Sequence, residues 1–174
     1  MTASLPMPRL PFQKERSTLW YQVPKRTENL MERELTAEDR LAIGETLSLH
    51  GHIFDGGHLD RLGEIFTPDV VYDMSAAGVG TFEGIEAIRS AALQLGAGNP
   101  IAHHVTNVVI TGEEDGLVTA RSKGLMLMAN GTFASVTHLD TLRRHDGGWR
   151  ISRRVISPQR TSLGGAHLAD AGDR

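Results

Sequence analysis

LVTARSKGLMLMANGTFASVTHLDTLRR, residues 117–144, contains two runs that alternate between apolar and polar residues on either side of Asn130-Gly131. Asn-Gly between two alternating runs is the strongest short-range signal for a β-hairpin. In the first run, Arg121 and Lys123 share one parity, while small and apolar residues share the other. We therefore expect an inward face made of Val118, Ala120, Ser122, Gly124, Met126 and Met128.

Alternating segments flank this hairpin on both sides and extend the predicted sheet. The segments 101–111 and 149–157 are separated from it by glycine-containing turns at 112–116 and 146–148. Together with 117–128 and 132–144, they predict four strands that form an antiparallel meander.

Helical signals dominate the chain before this meander. Thr36 precedes a run with two acidic residues, which is typical of a helix start, and Gly56-Gly57 marks the end of that helix. A short second helix is predicted at 58–66, a short strand at 70–74 and a third helix at 86–95. This order predicts an α+β fold with helices on one face of a bent sheet.

Composition excludes several classes of function. The chain has 174 residues, a net charge of −3 and no cysteine, which fits one domain and excludes disulfides and thiolate chemistry. The charge balance gives no sign of nucleic-acid binding, and no apolar run approaches the roughly 20 residues of a membrane span. Prolines interrupt the N-terminus, so we expect no signal peptide and a cytoplasmic protein. We expect an N-terminal extension at 1–35, a domain at 36–160 and a flexible tail at 161–174.

Asp55 and two adjacent histidines are the candidates for proton-transfer chemistry. Asp55 closes the first predicted helix, on which His50 and Phe54 lie one turn apart, and His103 and His104 open the strand 101–111. A carboxylate beside an imidazole fixes its tautomer and stabilises its protonated form. Adjacent strand residues point to opposite faces, so only one of the two histidines lines a pocket, and the alternation alone does not choose between them.

Four runs of the sequence carry a family resemblance. These are HGHIFDGGHLDRLGEIFTPDVVYDM at 50–74, GTFEGIEAIR at 80–89, HHVTNVVI at 103–110 and THLDTLRRHDGGWRISRRVI at 137–156. In this order they resemble the SnoaL-like branch of the nuclear transport factor 2-like superfamily, over residues 36–160. The resemblance implies a cone-shaped α+β barrel (cystatin-like), with a strongly curved, mostly antiparallel sheet packed on three N-terminal helices.

The same resemblance implies a set of site residues. Members of the dehydratase type place an aspartate after the first helix against a histidine on the first long strand, and Asp55 and His104 match those positions. We therefore expect Asp55 and His104 to be catalytic. The substrate-binding residues implied by the family or by their helical face are His138, Tyr72, Ser122, Asp140, His50 and Phe54.

The resemblance implies a cofactor-free acid–base enzyme, a dehydratase first and an isomerase or cyclase next. Its substrate would be a small hydrophobic cyclic or polyketide-like carbonyl compound. A ligand-binding protein and a structural protein like a dioxygenase β subunit remain alternatives. The eight histidines show no metal-ligand spacing, so neither a metal nor a cofactor is expected. Apolar residues on the outer sheet face, Leu125 and Leu127, predict a homodimer or homotrimer.

Overall fold

The computed structural model describes residues 35–162, so most of the predicted extension and tail lie outside the described residues. These residues form two α-helices and six β-strands. The helices are α1, Ala37–Asp55, and α2, Ile85–Leu95. The strands are β1 Phe66–Asp73, β2 Thr81–Glu83, β3 Ala102–Glu114, β4 Leu117–Leu127, β5 Phe133–His145 and β6 Gly148–Pro158. Short 3-10 helices span Leu59–Glu64, Ser75–Ala77 and Gly96–Gly98.

All six strands belong to one sheet in the order β2-β1-β6-β5-β4-β3. The pairing of β1 with β6 is parallel, and every other pairing is antiparallel. The sheet is curved, and its inner face packs on the helices. The predicted α+β class and the mostly antiparallel sheet are therefore confirmed. Some details differ from prediction: the second helix is a 3-10 helix, and β1 begins at Phe66 rather than at residue 70. The sequence between Gly78 and Gly84 indicates only a loop and edge, and within it residues 81–83 form the edge strand β2.

Local chemistry fixes where α1 begins. The Thr36 hydroxyl accepts a hydrogen bond from the Asp39 backbone N–H, and the Asp39 carboxylate accepts one from the Thr36 backbone N–H, which is a capping box. The Asp39 carboxylate also accepts hydrogen bonds from the Trp149 indole and the Arg144 guanidinium. The start of α1 is therefore anchored to the β5–β6 hairpin.

The core lies between α1 and the inner sheet face. Ile43 and Leu47 of α1 are fully buried, as are Phe66 of β1 and Ile151 of β6. Each such side chain contributes about 1.5–3 kcal/mol on burial. The burial of β4 alternates along its length, with Val118, Ala120 and Ser122 buried and their neighbours exposed. This confirms the predicted inward face of β4. Leu125 lies on the outer face and is exposed, while the expected homodimer or homotrimer stays a prediction.

A β-bulge interrupts the alternation of β3. Its pairing with β4 shifts register between Thr106 and Val109, and Asn107 has a φ of 52°. An extra residue in one strand reverses which parity faces the core. Val105 before the bulge and Ile110 after it both pack against the core, although one is odd and the other even. The inner face of β3 therefore changes parity at Asn107.

Candidate active site

Asp55 and His103 meet where the end of α1 crosses the start of β3. The His103 backbone N–H donates to Asp55 Oδ2 at 2.8 Å, and His103 Nδ1 lies 2.5 Å from Asp55 Oδ1. The side chains are 25% exposed for Asp55 and 14% exposed for His103. Because both carboxylate oxygens are engaged by the same residue, the imidazole is held in one orientation, with Nε2 directed away from the carboxylate.

The structure corrects the predicted pairing of Asp55 with His104. His104 is exposed and lies opposite Leu125 on the outer face, whereas His103 lies opposite Met126 on the inner face. The expectation came from the family resemblance, which put His104 at the position that His103 occupies. The alternation of β3 could not correct it, because of the bulge. His104 shares its parity with Ile110, which does face the core, but the parity of the inner face reverses between them. The inward histidine is identified by the residue of β4 with which it pairs, and not by its position in the alternation of β3.

Gly51 allows α1 to approach β3 at this point. A methyl group at Gly51 would overlap the backbone carbonyl oxygen of His103. We expect Gly51→Ala to lower the free energy of unfolding by roughly 1–3 kcal/mol, because the helix must move away from the strand. Chemical denaturation measures this change.

Gly44 is a matched control on the same helix. No atom lies within 4 Å of a methyl group placed there. Gly44→Ala should raise the free energy of unfolding by about 0.5–1 kcal/mol, the ordinary gain for alanine over glycine inside a helix. Equal effects at the two positions would show that the approach of α1 to β3 is not tight.

A cavity of about 940 Å³ lies between the sheet and α2 and is reached by the His103 ring. Four of its polar side chains lie close together, since the ring centroid of His50 is 5.4–6.4 Å from those of Tyr72, His103 and His138. The other polar residues of the lining are Gln94, Asn99, Ser135, Gln159 and Arg160. Most of the remaining wall is apolar, including Phe54, Met74, Phe82, Ile88, Ala91, Ala92, Met126, Val136 and Ile156. A large apolar pocket with a few convergent polar groups is the usual form of a small-molecule site.

Two small residues of β4, Ser122 and Gly124, position the His138 ring. Ser122 Oγ lies 3.2 Å from His138 Nδ1, and Gly124 leaves the space that the His138 ring occupies. Burial, together with the nearby Arg154 cation and His103, lowers the pKa of His138 to about 2. His138 is therefore neutral near pH 7, with Nδ1 engaged by Ser122.

His50 and Tyr72 form a second buried pair. His50 Nε2 lies 3.3 Å from Tyr72 Oη, and the His50 ring stacks on Phe54 with centroids 4.5 Å apart. Burial lowers the pKa of His50 well below its usual value, and burial raises the pKa of Tyr72 to about 12. At neutral pH the Tyr72 hydroxyl therefore keeps its proton.

A buried ion pair lies behind these groups. The Arg154 guanidinium donates to both Asp140 carboxylate oxygens, at 2.7 and 3.0 Å, and both side chains are inaccessible to solvent. Arg154 is paired across the sheet with Tyr72 of β1, and its charge lowers the pKa of His50 and His138. The Arg154 cation thus lies behind the neutral rings of His50 and His138 and the neutral hydroxyl of Tyr72.

The two buried histidines predict acid lability. They stay neutral in the folded protein but take up protons near pH 6.5 when unfolded, so below that pH the unfolded state binds more protons. The free energy of unfolding should therefore fall as the pH drops from 7 to 5, by on the order of 2 kcal/mol for each histidine. Urea titrations at several pH values measure this slope.

Removing one buried histidine tests the cause of that slope. His138→Gln should make the pH dependence between pH 5 and 7 about half as steep, while His52→Gln, on the exposed side of α1, should not change it. Among the described residues, four carboxylates have a lowered pKa, namely Asp39, Glu64, Asp69 and Asp73. Their contribution is lost only as the pH falls below the usual carboxyl pKa of about 4, so they leave most of this window unaffected. An unchanged slope in the His138 variant would contradict the assignment.

The structure brings together most, but not all, of the predicted substrate-binding residues. His138, Tyr72, His50 and Phe54 line the cavity. Ser122 lies behind His138 and contacts its Nδ1, and the Asp140 carboxylate is ion-paired with Arg154. Neither residue reaches the cavity wall. Arg154 was not among the predicted site residues. Its position on the inward parity of β6, opposite Asp140, was the available signal.

Two further findings concern metals and membranes. Within residues 35–162, no three histidine, aspartate or glutamate side chains are grouped closely enough to hold a metal ion. In the same part of the chain, no helix combines the length and the apolar character needed to cross a bilayer.

The family follows from a match over most of the chain. Residues 35–155 match the SnoaL-like domain family, so this protein belongs to that family. The family includes cofactor-free isomerases, cyclases and dehydratases. No curated protein is significantly similar to the chain.

Solved structures with the same fold come from Novosphingobium aromaticivorans. A nuclear transport factor 2-like protein with a cystatin-like fold is 28% identical, over 72% of this chain and 85% of that one, with a TM-score of 0.60. A candidate aromatic ring hydroxylase is 26% identical, over 72% and 92%, with a TM-score of 0.60. A candidate scytalone dehydratase is 19% identical, over 71% and 85%, with a TM-score of 0.60, and shows the fold alone.

Proposed function

We propose that this protein is a cofactor-free acid–base enzyme that moves a proton on a hydrophobic carbonyl compound. Dehydration is the first candidate outcome, and isomerisation or ring closure follows. The observation that carries the proposal is the Asp55–His103 contact, in which a histidine at a large apolar cavity is held by a carboxylate. His103 takes the role that the sequence interpretation gave to His104.

His103 serves as the general base in this proposal. Its Nδ1–H donates to Asp55, which leaves the lone pair on Nε2 free to accept a proton. Nε2 removes a proton from a carbon next to the substrate carbonyl. The electron pair of the broken C–H bond moves into an enolate, and Asp55 stabilises the imidazolium that results.

Tyr72 and His138 are the candidates that stabilise the enolate oxygen. The Tyr72 hydroxyl is protonated at neutral pH, so it donates a hydrogen bond to that oxygen while accepting one from His50. His138 is neutral, and with Nδ1 accepting from Ser122 it presents Nε2–H as a donor. Donors in an apolar cavity stabilise a developing negative charge far more than donors in water do.

The imidazolium of His103 completes the reaction by returning its proton. If the substrate carries a hydroxyl on the carbon beyond the enolate, protonation of that oxygen releases water and leaves an enone. If no leaving group is present, the proton returns to another carbon and the product is an isomer. General acid–base catalysis contributes about 10²–10⁴-fold to such a step.

Hydrogen exchange at carbon tests the proposal without knowledge of the natural substrate. A panel of cyclic ketones and β-hydroxy ketones is incubated with the protein in D₂O, and deuterium uptake and water loss are followed by NMR and mass spectrometry. Exchange that depends on Asp55 supports the enzyme. Tight binding of panel members with no exchange above the buffer rate would instead favour the alternative, a ligand-binding protein, which the size of the apolar cavity also suits.

A further inference from the structure

The strand β6 connects the polar end of the cavity to its mouth. Ile156 is paired with His138, and both Pro158 and Arg160 follow on the same parity and line the cavity. Arg160 lies four residues beyond Ile156. The strand β6 ends at Pro158, but the Gln159 backbone N–H still donates to the Ser135 carbonyl and continues the pairing with β5. Extended backbone at about 3.3 Å per residue therefore separates the two backbone positions by roughly 13 Å. The cavity wall therefore carries the His138 imidazole near its inner end and the Arg160 guanidinium about 13 Å closer to the mouth.

The charge of the cavity wall is opposite in sign to that of the chain. The protein has a net charge of −3, yet among the cavity-lining residues, all within the described range 35–162, there is no aspartate or glutamate. Arg160 is the only lysine or arginine in that lining. Its side chain is exposed and forms no hydrogen bond or ion pair with residues 35–162. Among the described residues, its guanidinium therefore has no partner that would compete with an anion.

Apolar side chains surround the same mouth. Val79 is 56% exposed, Leu95 is 56% exposed and Phe133 is 66% exposed, and all three also line the cavity. Exposed apolar groups that converge on a pocket entrance mark a site where an apolar ligand passes or rests. The cavity volume of about 940 Å³ is near the upper end of the range for drug-sized ligands, so a compact two-ring compound would fill little of it.

We propose that the substrate is an elongated amphipathic anion, in which a hydrophobic ring system carries the reacting carbonyl and a side chain ends in a carboxylate. The carbonyl lies at the Tyr72–His138 end, and the carboxylate pairs with Arg160 about 13 Å away. A single guanidinium suits a monoanionic carboxylate, which it binds through two parallel hydrogen bonds. The assignment of the reacting end rests on the proposed function, whereas the capture of the carboxylate does not.

Matched probes test the role of Arg160. The probes are a tetracyclic steroid ketone whose side chain ends in a carboxylate, its methyl ester, and a shortened analogue with the carboxylate directly on the ring. Calorimetry should show the long acid binding about two- to fivefold more tightly than both the ester and the short acid, the scale expected for one exposed ion pair. Arg160→Gln should remove this preference, and Arg160→Lys should keep part of it.

Control variants separate this proposal from the proposed function. Arg153→Gln removes the same charge from the exposed face of β6 and should leave both affinities unchanged. Asp55→Asn should lower the rate of deuterium exchange by about 10²–10⁴-fold while keeping the preference for the long acid. Equal binding of acid and ester, a preference that survives in Arg160→Gln, or no binding of any probe at millimolar concentration would each overturn the proposal.

Discussion

Replacing Asp55 with asparagine is expected to lower turnover by about 10²–10⁴-fold while the fold is retained. In the native protein the Asp55 carboxylate accepts a hydrogen bond from the backbone N–H of His103 and is also in hydrogen-bond contact with His103 Nδ1. An asparagine amide keeps the shape, but its NH₂ group can donate to Nδ1, which selects the tautomer whose Nε2 carries a proton and cannot act as a base. The measurement is the deuterium exchange rate at carbon, with circular dichroism to check folding.

The two adjacent histidines provide a matched comparison for this result. His103→Gln should lower the exchange rate by a similar factor to Asp55→Asn, and the double variant should lose little more, because the two residues act as one unit. His104→Gln changes the same side chain one residue away on the exposed face and should stay close to wild type. A larger loss at His104 than at His103 would refute the assignment of the base.

Arg154→Met is expected to lower the free energy of unfolding by about 3–5 kcal/mol. The side chains of Arg154 and Asp140 are both inaccessible to solvent, so removing the cation leaves a buried carboxylate without a counter-charge. Urea denaturation measures the change. Arg153→Met is the matched control on the next residue, where the ion pair with Asp73 is partly exposed and contributes at most about 1 kcal/mol.

A double variant separates the ion pair from packing at this position. Asp140→Leu combined with Arg154→Met removes both charges and should recover much of the stability lost in Arg154→Met, since apolar replacement of a buried pair is often nearly neutral. A double variant that is less stable than Arg154→Met would show that the loss comes from cavity formation and not from the unpaired carboxylate.

Much of the fold could be predicted from local patterns. The hairpin at Asn130-Gly131 and the inward parity of β4 follow from alternation that runs without interruption through Val118, Ala120 and Ser122. The first helix follows from the cap at Thr36. The strand β2 could be placed only as part of a loop and edge between Gly78 and Gly84, because its three residues are too few to show an alternating pattern.

The candidate site could be predicted only in part, for two physical reasons. Alternation along β3 could not choose between His103 and His104, because the β-bulge at Asn107 moves the inner face of the strand to the other parity. The local sequence gives no sign of this bulge. Asp140 is paired with Arg154 across β5 and β6, and this partner can be identified only when the register of the two strands is known. By contrast, His50 and Phe54 were predicted correctly to lie on one side of α1, because helical spacing alone places them together.

The bulge in β3 also has an evolutionary consequence. Four residues of β3, from Thr106 to Val109, span the same length as three residues of β4, from Lys123 to Arg121. Deleting Asn107 or Val108 would therefore restore regular pairing at this point and leave His103 opposite Met126. Because bulges increase the local twist of a strand, gaining or losing this residue changes how strongly the sheet wraps the cavity. Single-residue insertions here offer a lineage a way to reshape the binding space while its proton-transfer pair stays in place.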